Sequence, residues 1–130
     1  MLVRPGMKPQ EVDAFVRAHG IIGLKPYRLY SATGDVVDCR ITDFLPEELI
    51  EVAEEHRLLV VLHLARRHAA ADELNLADLG RLSRTYPHVQ WQLAHCARCF
   101  HPYFLEVAID RLSELESVWF DTSAVCESDV

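Results

Sequence analysis

Basic residues are in the minority in this chain: 13 Lys and Arg stand against 20 Asp and Glu, for a net charge of -7. A surface that tracks phosphates needs clustered cations, so DNA and RNA are not expected partners. Long apolar runs are also missing. No stretch approaches the roughly 20 residues that cross a bilayer, and the first apolar residues break at Pro5 and Gly6, too early for the core of a secretory leader. A soluble, cytoplasmic protein with no membrane partner is the expectation. Cysteine is scarce as well. Cys39, Cys96, Cys99 and Cys126 are too few for a disulfide scaffold at this length, and a reducing compartment would keep them as thiols. What is present is ordinary globular material: 50% of the 130 residues are hydrophobic, enough for a single domain over residues 1–130 with a real core.

Four short apolar runs each end on a residue able to do chemistry. They are Ile21-Ile22-Gly23-Leu24-Lys25, Leu58-Leu59-Val60-Val61-Leu62-His63, Val89-Gln90-Trp91-Gln92-Leu93-Ala94-His95 and Ser117-Val118-Trp119-Phe120-Asp121. The residues that end them are far enough apart for a loop, a crossover helix and the next parallel strand. In such a βα repeat every strand ends on the same face of the sheet, which brings Lys25, His63, His95 and Asp121 to one rim. The expected fold class is therefore α/β, a parallel βα repeat of about four strands with flanking helices.

Helical spacing fills the gaps between the runs. Val12, Phe15 and Val16 follow Pro9, and Gly20 suits a left-handed cap. Pro46, Glu47 and Glu48 suit a first helical turn, with the helix reaching about Arg57. Asn75 reads as the N-cap of a helix carrying Leu76, Leu79 and Leu82 that ends near Pro87. Pro102 opens a last helix with Leu105, Ala108, Ile109, Leu112 and Leu115 on one stripe. Residues 26–45 show no clear period and read as a long loop over the strand ends.

The stretches Gly23-Leu24-Lys25-Pro26, Leu62-His63-Leu64, Tyr86-Pro87, Leu93-Ala94-His95-Cys96-Ala97-Arg98 and Phe120-Asp121-Thr122-Ser123-Ala124, in this order and spacing, together resemble the amidohydrolase-related family of metal-dependent hydrolases and decarboxylases on a TIM barrel. The resemblance implies that the four runs are the fourth to seventh strands of an eight-stranded barrel. A whole barrel needs about 250 residues, so this chain is about half of one. The family's His-x-His pair and its metal-binding Asp on the eighth strand have no counterpart here, which implies a site that is incomplete in this chain alone.

Through the same resemblance His63 takes the place of a metal ligand, the ion being divalent and most simply Zn²⁺. His95 takes the place of a histidine that either orients and deprotonates metal-bound water or is itself a second ligand. Sequence leaves those two roles open, beside the plainer readings of His63 as a polar residue closing a buried strand and of His95 as an imidazole hydrogen-bonded inside the loop layer. Lys25 is a candidate for neutralising an anionic substrate or, if carboxylated, for bridging two metals; a solvated lysine is the equal alternative. Arg66, Arg67 and Arg98 form a local positive patch suited to a carboxylate-bearing small molecule, although Arg66-Arg67 also reads as a solvated helix start. Asp121 suits a turn held by side-chain to backbone hydrogen bonds. Cys96 and Cys99 are either packed thiols or, with His95 or His101, a small zinc module. Against the enzyme stands a non-catalytic half-barrel that associates, as a homo-oligomer, through open sheet edges.

Overall fold

The computed structural model describes residues 1–124; Cys126 lies outside the described residues. Five parallel strands form one sheet in sequential order. They are β1 (Leu2–Val3), β2 (Gly23–Pro26), β3 (Leu59–Leu62), β4 (Gln90–Leu93) and β5 (Val118–Phe120). The α/β parallel repeat is as expected, but with five strands in place of four. Leu2 and Val3 pair with Lys25 and Pro26, an element of two residues that is too short to carry a period of its own.

Alternation along the strands decides what each face meets. Leu24, Val60 and Trp91 share one rung, and Leu62 and Leu93 the next; all five are buried. Parallel strands in sequential order, joined by crossovers of one hand, put the long connecting helices on one face of the sheet. The helices are α1 (Pro9–His19), α2 (Ile41–Phe44), α3 (Glu47–Glu55), α4 (Glu73–Thr85), a single turn α5 (Ala94–Ala97) and α6 (Pro102–Leu112). Their buried Val12, Val16, Leu49, Ile50, Leu79 and Leu82 each contribute roughly 1.5–3 kcal/mol by leaving water. Among the described residues no helix covers the opposite face. Along it run Leu2, Lys25, Val61, Gln92 and Trp119 at one level, with Leu2 51% and Trp119 56% exposed. Gln90 and Gln92 bridge β4 to the neighbouring strand, accepting from Trp119 Nε1 and donating to Asp121.

Three local readings change. Residues 26–45 hold a 3₁₀ turn at Arg28–Tyr30 and the α2 turn, and Ile41, Phe44 and Leu45 are part of the core. Pro46 caps α3 instead of lying inside its first turn, and the helix stops at Glu55. Asp72, not Asn75, caps α4, accepting from Leu74 N–H at 3.0 Å. Asn75 is buried, and its amide donates to the carbonyls of Ala65 and Ala69 at 3.0 and 2.8 Å, tying down the segment that follows β3. The 26–45 segment is anchored on α4 by Arg40, whose guanidinium grips the buried carboxylate of Asp78 with two bonds. No described helix is long and apolar enough to cross a membrane.

Candidate functional site

His63 follows the last residue of β3 and His95 the second residue after β4, so adjacent parallel strands deliver both to the same rim. Their rings lie 5.4 Å apart between centroids, edge to face at 76°. On its other side His63 stacks with Tyr27 at 6.4 Å, and Lys25 Nζ sits 5.2 Å from the Tyr27 ring. Three of the four expected rim residues thus form one row, from Lys25 through Tyr27 to His63 and His95.

His63 is half-buried, and its Nδ1 is buried with no hydrogen-bond partner among the described residues. Burial pushes the imidazole pKa down to about 4, and the neighbouring Arg98, Arg28, His95 and Lys25 push the same way. The ring is therefore neutral near pH 7, with a nitrogen lone pair to give. Burial also lowers Lys25, against the pull of the Asp121 carboxylate.

His95 stands in an unusual piece of backbone. His95, Cys96, Ala97 and Arg98 have φ of 60, 47, 57 and 59°, so the chain runs left-handed through the last three residues of α5 and its cap, all of which carry side chains, at a cost of roughly 1–2 kcal/mol each. Asp121 holds it in place. Its carboxylate accepts from His95 N–H at 2.9 Å, and its carbonyl accepts from Cys96 N–H at 2.6 Å. The same carboxylate accepts from the amide and hydroxyl of Ser123 and from Gln92. Burial alone would raise the Asp121 carboxyl, but these bonds outweigh it and hold the group well below the usual carboxylate range. His95 Nδ1 in turn lies 2.9 Å from Ser123 Oγ and 3.0 Å from Ser123 O.

The arginines divide. Arg98 donates to Leu64 O at 2.6 Å and is, after burial, the largest influence on His63. Arg66 stays away from the pair. With φ of 69° it turns back, and its guanidinium is committed to Asp72 at 2.7 Å and to the Asp38 carbonyl. Arg28 lies close enough for its charge to push down the pKa values of both His63 and Arg98, and it donates to Val36 O. Sequence reasoning passed over Arg28 and Ser123, although each lies within three residues of a rim residue already singled out. Tyr30 is exposed and makes no ring contact with the pair among the described residues.

Two further clusters stand apart. Cys96 and Cys99 form no three-ligand group with His95 or His101 among the described residues. Burial raises the Cys99 thiol, which keeps it protonated and packed. Asp13, Glu55 and His56 do converge within 4.8 Å, but on α1 and the end of α3, in the helix layer. Arg17 bridges Asp13 and Glu55 at 3.0 and 2.9 Å, and His56 Nε2 lies 2.6 Å from Asp13, so the cluster reads as an ion-pair network joining two helices.

The amidohydrolase family profile matches residues 2–129. No curated protein matches the sequence. Among solved structures, the chain is similar to 4-oxalomesaconate hydratase from Rhodopseudomonas palustris, with a TM-score of 0.57 and 19% identity over 91% of this chain and 41% of that one. That likeness is one of fold, and the five parallel strands with flanking helices are consistent with a partial TIM barrel. The chain spans less than half the length of the protein it matches.

Proposed function

The chain belongs to the amidohydrolase family, and on that premise we propose that its strand ends carry part of a metal-dependent hydrolase or lyase site for a small, carboxylate-bearing molecule. The observation that supports this best is the unspent Nδ1 of His63, buried on a neutral ring beside a second imidazole. A buried nitrogen lone pair without a donor is a natural ligand for a divalent cation, and imidazole favours zinc among the common ones. His63 would hold the ion, and His95 would serve as a second ligand or as the base for its water. When bound, such an ion makes hydroxide available near neutral pH.

Lys25, Arg28 and Arg98 supply positive charge at this rim in an otherwise acidic protein. Guanidinium groups pair bidentately with carboxylates, which orients a substrate as well as holding it. Arg66, already bonded to Asp72, contributes by shaping the loop and not by touching substrate. Hydrolysis and carboxyl loss both fit this arrangement. Two imidazoles are fewer than the three protein ligands of a catalytic zinc, so the remaining donors would come from strands beyond β1 and β5, supplied by further barrel strands or by a second copy meeting the open edges. In that reading residues 1–130 are one domain and β2 to β5 are the fourth to seventh barrel strands.

The test is a zinc titration of the ¹⁵N-labelled chain. The His63 and His95 ring signals are expected to move first, and His63→Ala to abolish the response. Zinc perturbing only Asp13, Glu55 and His56, or neither rim ring, would overturn the proposal. Tight one-to-one zinc with turnover by this chain alone would overturn the incomplete ligand set.

A further inference from the structure

A carbonyl oxygen can only accept a hydrogen bond, and that fact decides where the proton of His95 sits. Nδ1 of His95 faces two oxygens of one residue, the carbonyl of Ser123 at 3.0 Å and its hydroxyl at 2.9 Å. The hydroxyl has one proton, and that proton is directed to the Asp121 carboxylate. Both oxygens therefore present lone pairs to the ring, and a bare Nδ1 facing them would be repelled by each. We infer that Asp121 and Ser123 are positioning residues that hold neutral His95 in the Nδ1–H tautomer and leave Nε2 as its free lone-pair nitrogen.

The surrounding bonds serve the same end. Asp121 accepts from Ser123 N–H at 3.0 Å, which closes the turn and aims the Ser123 carbonyl. It also accepts from His95 N–H at 2.9 Å, so one carboxylate fixes the backbone of the histidine and the acceptor facing its ring. The left-handed run from His95 to Arg98 is a conformation that side-chain residues hold only when their surroundings over-determine it. Here Asp121 supplies two of the constraints, through its carboxylate and its carbonyl. The inference rests on the reading of His95 as base or ligand for its significance, because either role needs one nitrogen kept free of hydrogen. The tautomer itself does not depend on that reading.

Long-range ¹H–¹⁵N spectra of the chain, recorded at mildly alkaline pH without metal, read the tautomer directly. The expected wild-type result is pyrrole-type Nδ1 and pyridine-type Nε2 at His95, in about tenfold or greater excess over the reverse form. Ser123→Ala removes one acceptor and should reduce that excess several-fold. Asp121→Ala frees the hydroxyl proton to turn toward the ring and should reduce it further, while Ser123→Thr should restore it. A wild-type ring in the Nε2–H form, or an even mixture, would overturn the inference whether or not the variants fold, as would an excess unmoved by Ser123→Ala. Zinc binding at His63 with the wrong tautomer at His95 would sink this inference and leave the proposed function standing; the locked tautomer without zinc binding would do the reverse.

Discussion

The imidazoles of His63 and His95, leaving adjacent strands, stand edge to face with their centroids 5.4 Å apart. Burial, with the neighbouring Arg98, Arg28, His95 and Lys25 acting in the same direction, holds the His63 pKa down to about 4. Between an ordinary histidine pKa near 6.5 and about 4 the unfolded chain binds a proton at this position that the folded chain refuses. Stability should therefore fall as pH drops through that window and level off below it. Denaturant melts across it should show the slope, and His63→Phe should flatten it. A His63 ring titrating near 6.5 in NMR would contradict the argument.

Convergence of these two rings was legible because it needs only strand direction: a histidine just past a parallel strand goes to the shared rim, whatever the loops do. Lys25 and Asp121 follow the same logic. Arg66 and Arg28 do not, because their positions depend on loop backbone. The reversal at Arg66, with φ of 69°, turns its guanidinium to Asp72, and no glycine marks that reversal in the sequence. The left-handed α5 turn was hidden for the same reason, since His-Cys-Ala-Arg carries none of the residues that usually adopt it. β1 escaped notice because two residues display no alternation, and Asp72 was missed as a cap because Asn75, three residues later, has the same preference.

The grip of Arg40 on Asp78 joins the 26–45 segment to α4 around a carboxylate only 2% exposed. Arg40→Ala would leave that carboxylate buried without its main partner, a loss of about 2–4 kcal/mol, moderated because Arg40 itself is partly solvated. Replacing both, as Arg40→Met with Asp78→Leu, should cost clearly less than Arg40→Ala alone. A double-mutant cycle by urea denaturation measures the difference. Equal costs would show that the loss in Arg40→Ala does not come from a stranded carboxylate.

Asn75 is the link between α4 and the segment that carries the rim past His63. Its amide satisfies two carbonyls at once, and Asn75→Ala should cost about 2–3 kcal/mol by orphaning both inside the protein. Asn75→Asp should be no better, because a carboxylate has no hydrogen to donate. Amide exchange in residues 64–71 should quicken in both variants. Wild-type protection there would mean that Ala65 and Ala69 do not rely on this side chain.

Two helices end in left-handed residues of different kinds. α1 stops at Gly20 with φ of 60°, whereas past α3 the same region is taken by Arg57 with φ of 53°. Around Arg57 the chain makes a Schellman-like closure, Leu58 N–H to Ala53 O at 2.8 Å, which favours glycine at the left-handed position. The Arg57 side chain is exposed and makes no ion pair among the described residues. Arg57→Gly should therefore stabilise the protein by about 0.5–1 kcal/mol, the relief of strain exceeding the entropy that glycine adds to the unfolded chain. Gly20→Ala should destabilise by about 1 kcal/mol, since the same backbone then carries a Cβ. Urea midpoints at unchanged slope report both effects. Opposite signs at the two caps are the expected outcome; destabilisation by Arg57→Gly would show that the arginine stem packs on α3 more strongly than its backbone is strained.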